Sequence, residues 1–135
     1  MQDNLGVHMA IKYTYNPEQH SVLTEVIGQI KLTEILSYID KLISDPLINK
    51  PFLEIVDFSE TKDFDFGYYQ TNQLIGKLKH LESFNNYQGS ILIADKDFIR
   101  GMTNIFKVVG EDKAINIKVV SSQEEALSEA REYFS

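Results

Sequence analysis

The sequence predicts an α/β domain built on a mixed, mostly parallel sheet of about five strands with about four helices, in the order ββαβαβαβα. Three observations carry that reading. An alternating run near the N-terminus meets turn residues and then a second extended run, which makes an opening hairpin. Beyond it, the apolar pattern switches repeatedly between a period of two and a helical period. Two short apolar runs, at residues 52–58 and 90–94, have the composition of strands buried within a sheet.

The elements follow in order. Over residues 7–15, Val7, Met9, Ile11, Tyr13 and Tyr15 fall on one side, with His8, Ala10, Lys12 and Thr14 on the other. That alternation marks a half-buried strand. Asn16, Pro17, Glu18 and Gln19 supply a turn, and residues 22–27 resume a strand pattern. Gly28 and Gln29 break it. Leu32, Ile35, Leu36, Ile39, Leu42 and Ile43 then sit at helical spacing, with Thr33 as candidate cap and Asp45-Pro46 as the stop. The run 52–58 reads as a central strand covered on both faces, a reading that the single glutamate, Glu54, leaves open.

A second helix is expected from about Gly67, with Tyr68, Thr71, Leu74, Ile75, Leu78 and Leu81 along one stripe. Residues 85–89 read as a turn and 90–94 as a buried strand. Asp95-Lys96-Asp97 offers a cap to a third helix whose stripe is Phe98, Met102, Ile105, Phe106 and Val109, closed by Gly110. An early glycine, Gly101, suggests close backbone packing there. Ile115, Ile117 and Val119 alternate with polar residues and suit an edge strand. Ser121-Ser122-Gln123-Glu124-Glu125 opens the last helix, where a serine cap with glutamate three positions on makes a capping box, and the helix carries Ala126, Leu127, Ala130 and Phe134. With no repeat, linker or low-complexity tract, residues 1–135 read as one domain.

Composition narrows the function classes. The chain is 43% hydrophobic, enough for a core, and has no cysteine, so disulfides, thiolate metal sites and cysteine catalysis are excluded. A formal net charge of −7 repels phosphate backbones, and no basic stripe offsets it, so nucleic acid is not an expected partner. No apolar run approaches the ~20 residues of a membrane span. The N-terminal residues lack the pattern of a signal peptide. A cytoplasmic protein is the expectation.

Chemistry-bearing residues concentrate at one junction. Asp57, Glu60, Asp63 and Asp65 follow the predicted central strand, at the carboxyl end where ligands of open sheets gather. They read either as a site for a hard cation or as a solvated loop in which Asp63 or Asp65 caps the second helix. Phe58, Phe64, Phe66, Tyr68 and Tyr69 crowd the same segment, and surface aromatics are enriched at interfaces. Neither a receiver-type phosphorylation site at Asp57, a histidine metal pair, a catalytic relay nor a glycine-rich phosphate cradle is present in the pattern. Arg100 reads as a partner for the acidic loop, or as an anion contact.

The stretches GQIKLTEILSYIDKLISDP, LEIVDFSETKDFDF and ILIADKDFIRGMTNIFKVV, with the closing SSQEEALSEA, resemble the SpoIIAA-like group of STAS domains, on the STAS/SEC14-like branch rather than among the true anti-sigma-factor antagonists. The resemblance spans about residues 22–134. It implies a SpoIIAA-like fold and a small bacterial regulatory module. In the regulators a serine at the start of the second helix is phosphorylated and blocks docking. Here that turn reads Phe64-Asp65-Phe66-Gly67 without a hydroxyl, and Ser59 and Thr61 lie earlier and do not match. The branch also implies apolar small-molecule binding.

The leading functional expectation is therefore a non-enzymatic module that docks a protein partner, or a second copy of itself as a homodimer. The expected contact residues are Asp57, Ser59, Asp63, Phe64, Asp65, Phe66, Tyr68 and Tyr69, with no cofactor and no bound metal. The alternatives are a carrier of an apolar metabolite or lipid near Phe98, Met102 and Phe106, and, more remotely, a metal-dependent enzyme using the acidic loop.

Overall fold

The computed structural model describes residues 10–84 and 86–135. Val7 to Met9 of the expected first strand, and Asn85 of the expected turn, lie outside them. β1 (Ile11–Asn16) and β2 (Ser21–Val26) form the antiparallel hairpin. A short 3-10 turn at Pro17–Gln19 joins them, and the Asn16 side chain accepts from the Gln19 amide. There follow β3 (Gly28–Lys31), α1 (Leu32–Ser44), β4 (Phe52–Asp57), β5 (Thr61–Asp65) and α2 (Tyr68–Phe84). β6 (Tyr87–Ile93), α3 (Asp97–Asp112), β7 (Ile117–Val120) and α4 (Gln123–Tyr133) complete the chain.

The main sheet has the order β1-β2-β4-β6-β7, parallel throughout except for β1, with β4 at its centre and β7 at an edge. Helices α1, α2 and α3 pack on one face, where Ile35, Ile39 and Leu42 of α1 meet Leu74, Ile75 and Leu78 of α2. Full burial of each such side chain contributes about 1.5–3 kcal/mol. The opposite face holds a smaller core in which Ala126 and Ala130 of α4 meet Leu53, Ile55, Ile91 and Ile93. β4 is thus covered on both sides, as its apolar run predicts.

Several local expectations give way to tertiary packing. Gly28, at φ 84°, does interrupt the second strand, yet the chain resumes at once as β3. β3 pairs in parallel with β5, so the expected acidic loop is in part a strand, held in a separate two-stranded sheet. β6 begins at Tyr87, three residues before the expected start. At α1 the amino end is held by Glu34, whose Oε1 accepts from the Lys31 amide at 2.9 Å, and Thr33 is exposed inside the helix. Lys96 occupies the cap position of α3 without a side-chain cap bond.

The buried stripe of α3 runs through Ile99, Thr103, Phe106 and Val109, leaving Phe98 exposed. Gly110 does not close that helix, which continues to Asp112. A Cβ there would sit 2.5 Å from Cδ1 of Ile117, so the glycine lets α3 lie against β7. Gly101, in contrast, faces open space. In the last helix Ser122 caps by accepting from the Glu125 amide at 3.2 Å, while Glu125 Oε1 accepts from the Ser121 amide, one residue before the cap amide that a full capping box would use.

Candidate functional site

Because β2, β4 and β6 run in parallel, their carboxyl ends share one edge of the sheet. The segment after β4 folds back over this edge and is tied to it. Asp57 Oδ1 accepts from the Ser59 amide at 2.8 Å, a local turn that reverses the chain. The buried Thr61 hydroxyl donates to the Val26 carbonyl at 2.6 Å, and the Gly28 amide donates to the Glu60 carbonyl. Lys96 Nζ, from the loop after β6, donates to the Ser59 carbonyl at 3.1 Å. Three strand ends therefore hold the segment in place.

The aromatic residues divide into two sets. Phe64 points inward at 6% exposure, with ring centroids 5.4 Å from Phe58, 5.7 Å from Phe66 and 5.4 Å from Phe106. Phe66 is half-buried and stacks on Phe106. Phe64 therefore belongs to the core and is not a surface contact. Tyr68 and Tyr69 open α2 and are 59% and 86% exposed, with rings edge to face at 6.3 Å. Tyr68 thus departs from the expected buried stripe of α2, because the packed face begins only at Thr71.

Among the acids, Asp63 lies beside Gln29 and Asp65 beside Lys31 in the β3–β5 register. Asp63 Oδ1 accepts from the Phe64 amide, and neither acid caps α2. Gln70 does so instead: its Oε1 accepts from the Gly67 amide at 3.0 Å, one half of a capping box. Asp65 is left exposed at the end of β5, three residues before the first of the two tyrosines. Among the described residues no group of three or more histidines, aspartates or glutamates is placed to hold a metal ion. Arg100 does not meet the acidic segment; its Nη1 donates to the Ala94 carbonyl and the Ser121 hydroxyl, joining the ends of β6 and β7.

The edge carries excess negative charge. Glu60, Asp65, Asp95 and Asp97 are exposed there against Lys31, Lys62 and Lys96, with Lys31 beside Asp65 and Lys96 already engaged with a backbone carbonyl. Between the three-helix layer and the sheet lies a cavity of about 50 Å³ lined by Ile75, Leu78, Phe106 and Glu54. The functional signal that sequence reading passed over is Glu54, which registered only as a blemish in a strand and is in fact a buried hydrogen-bonded carboxyl.

This arrangement, three helices on one face of a mixed sheet and one on the other, is a SpoIIAA-like α/β fold. Comparison with protein-family profiles finds no match, nor does comparison with curated protein sequences. Among solved structures, the anti-sigma factor antagonist SpoIIAA in its unphosphorylated form aligns at TM-score 0.55 and 15% identity, over 90% of this chain and 98% of that one. A DUF3478-family protein from Shewanella loihica PV-4 with a SpoIIAA-like fold aligns at 0.57 and 14%, over 95% and 97%. The Bacillus cell fate determinant SpoIIAA in its phosphorylated form aligns at 0.52 and 16%, over 89% and 98%.

Proposed function

We propose that this chain is a non-enzymatic regulatory module that docks a protein partner through the edge formed by β5 and the start of α2. One observation carries the reading: two adjacent tyrosines stand out from a helix start that is fixed by the Gln70 cap and the strand-end contacts beneath it. Tyrosine supplies large contact area with few rotatable bonds, so placing it on a rigid element lowers the entropy lost on binding. The surrounding acids favour a basic partner surface and faster encounter with it. The fold adds support, since one of its solved examples is an anti-sigma factor antagonist.

Docking at this edge needs no phosphate switch at the helix start. That turn has no hydroxyl, and Asp65 puts a permanent negative charge there. Thr61 is fully buried with its hydroxyl engaged, so its modification requires prior unfolding of the segment. An apolar carrier finds less support. The cavity of about 50 Å³ falls well short of the roughly 300–1,000 Å³ of ordinary ligand sites. No helix among the described residues is long and apolar enough to cross a membrane, and a cytoplasmic setting belongs to the same proposal.

Tyr68→Ala and Tyr69→Ala remove exposed side chains, so each variant is expected to keep its stability within about 0.5 kcal/mol. Together they are expected to weaken association by about tenfold or more, which is about 1.4 kcal/mol. Sedimentation velocity, on the protein alone and with its partner purified from the host, reads both outcomes of interest: partner docking and self-association. Association unchanged in the double variant rules the surface out.

A further inference from the structure

We infer that Glu54, with the four hydroxyls around it, forms a proton-linked latch that fastens α1 to the centre of the sheet. Glu54 sits in the middle of β4 and is 4% exposed. Tyr38 of α1 donates to its Oε2 and Ser90 of β6 donates to its Oε1, each at 2.5 Å. Behind them, Thr24 of β2 meets Tyr38 at 2.6 Å, and Tyr87 meets Ser90. One carboxyl group therefore links α1 and three adjacent strands.

A proton count shows why such a cluster responds to pH. With Glu54 ionised, four hydroxyl protons serve four contacts, running from Thr24 through Tyr38 to one oxygen and from Tyr87 through Ser90 to the other. Protonation adds a fifth proton to the same four contacts, so one arm must reverse and its terminal hydroxyl must find another acceptor. The hydrogen bonds thus favour the carboxylate. Opposing them, burial without a cation penalises the charge. Among the described residues, the groups that face Glu54 bring no positive charge: α1 contributes Tyr38, β6 contributes Ser90 with Tyr87 behind it, and β1, α2 and α3 contribute apolar side chains such as Ile11, Leu78 and Phe106. The other charge sensed in the cluster is also negative, Glu82 of α2 near Tyr87.

Desolvation is the larger influence, and it holds the Glu54 carboxyl above its ordinary value while the Ser90 and Tyr38 bonds pull the other way. The sign follows directly. A carboxyl that holds its proton more tightly when folded contributes stability at low pH, and that contribution is lost as pH rises from the unfolded value of 4.5 through the folded one. Ionisation places a charge beside the cavity of about 50 Å³, which has room for a few water molecules. Entry of water there separates α1 from β4.

The test is an infrared titration of the intact protein upward from pH 4.5 across the range in which it stays folded, with Glu54→Gln as reference, combined with hydrogen exchange of the α1 amides. The expected result is a protonated-carboxyl band that disappears as pH rises and is missing in Glu54→Gln. Exchange around Tyr38 should increase beyond its intrinsic pH dependence in the parent protein alone. The folding constant should fall by at most tenfold per pH unit, a slope that Glu54→Gln removes. A carboxyl signal that is constant across the range overturns the inference, as does α1 exchange that tracks pH equally in both proteins. Should Glu54→Gln fail to fold, the titration of the parent protein alone still decides.

Discussion

Phe64→Ala is expected to destabilise the protein by about 3–5 kcal/mol, the cost of deleting a buried aromatic side chain and leaving a cavity. Phe64 is the keystone of an aromatic group that joins three elements: Phe58 after β4, Phe66 before α2 and Phe106 on α3 all lie within 6 Å of it by ring centroid. Its neighbour across the small sheet, Ile30, is also fully buried, so neither layer can collapse freely into the gap. A loss of that size should lower the melting midpoint by about 10–20 °C. Urea denaturation checks the number directly. A loss below about 1 kcal/mol would mean that Phe64 is a surface residue and that the β3–β5 pairing described above is misplaced.

Gly89→Ala is the second large effect. Gly89 lies inside β6 at φ 139°, a backbone conformation that residues with side chains rarely adopt. A Cβ at this position would come within 2.5 Å of the Asn116 carbonyl oxygen and 2.9 Å of its Cβ. The obstacle is backbone, and it is held in place by the Ser90 amide, which donates to the same carbonyl at 2.9 Å. Relief therefore requires shifting β7 away from β6. The conformational penalty and the clash together should cost about 3 kcal/mol or more, again measurable by denaturant unfolding. The substitution lies at the far end of β6 from the candidate surface, so residual folded protein should retain binding.

The contrast between these two glycine-and-aromatic positions and what the sequence shows explains where prediction succeeds. The order of main elements was legible because β4 is a nearly continuous apolar run, β6 ends in one at Ile91, Leu92 and Ile93, and α1 has a strong helical stripe. Residues with two plausible faces were less legible. Phe98 and Ile99 are adjacent apolar residues, and packing of α3 against α2, β5 and β7 decides which one turns inward. Residues 61–65 alternate too weakly to announce a strand, since Thr61 and Phe64 are buried three apart, with a register shift at Gly28 in the partner strand.

The candidate site shows the same limit. The coincidence of acids and aromatics was visible in the chain, and it does mark one edge of the sheet. Which aromatics face solvent was not visible, because Phe64, Phe66, Tyr68 and Tyr69 are all large and close in sequence. The division arises from the β5 pairing and from where α2 starts to pack. Glu54 was legible only as an interruption, because its hydroxyl partners come from positions 24, 38, 87 and 90, and no local pattern connects them.

The docking surface itself is tested most directly by a photo-reactive amino acid placed at position 69, and separately at the exposed Tyr133 on the opposite side of the fold, in the native host. The expected result is one protein adduct from position 69, identified by mass spectrometry, none from position 133, and loss of the adduct when Tyr68 is also changed to alanine. An adduct from position 133 with none from position 69 would contradict it.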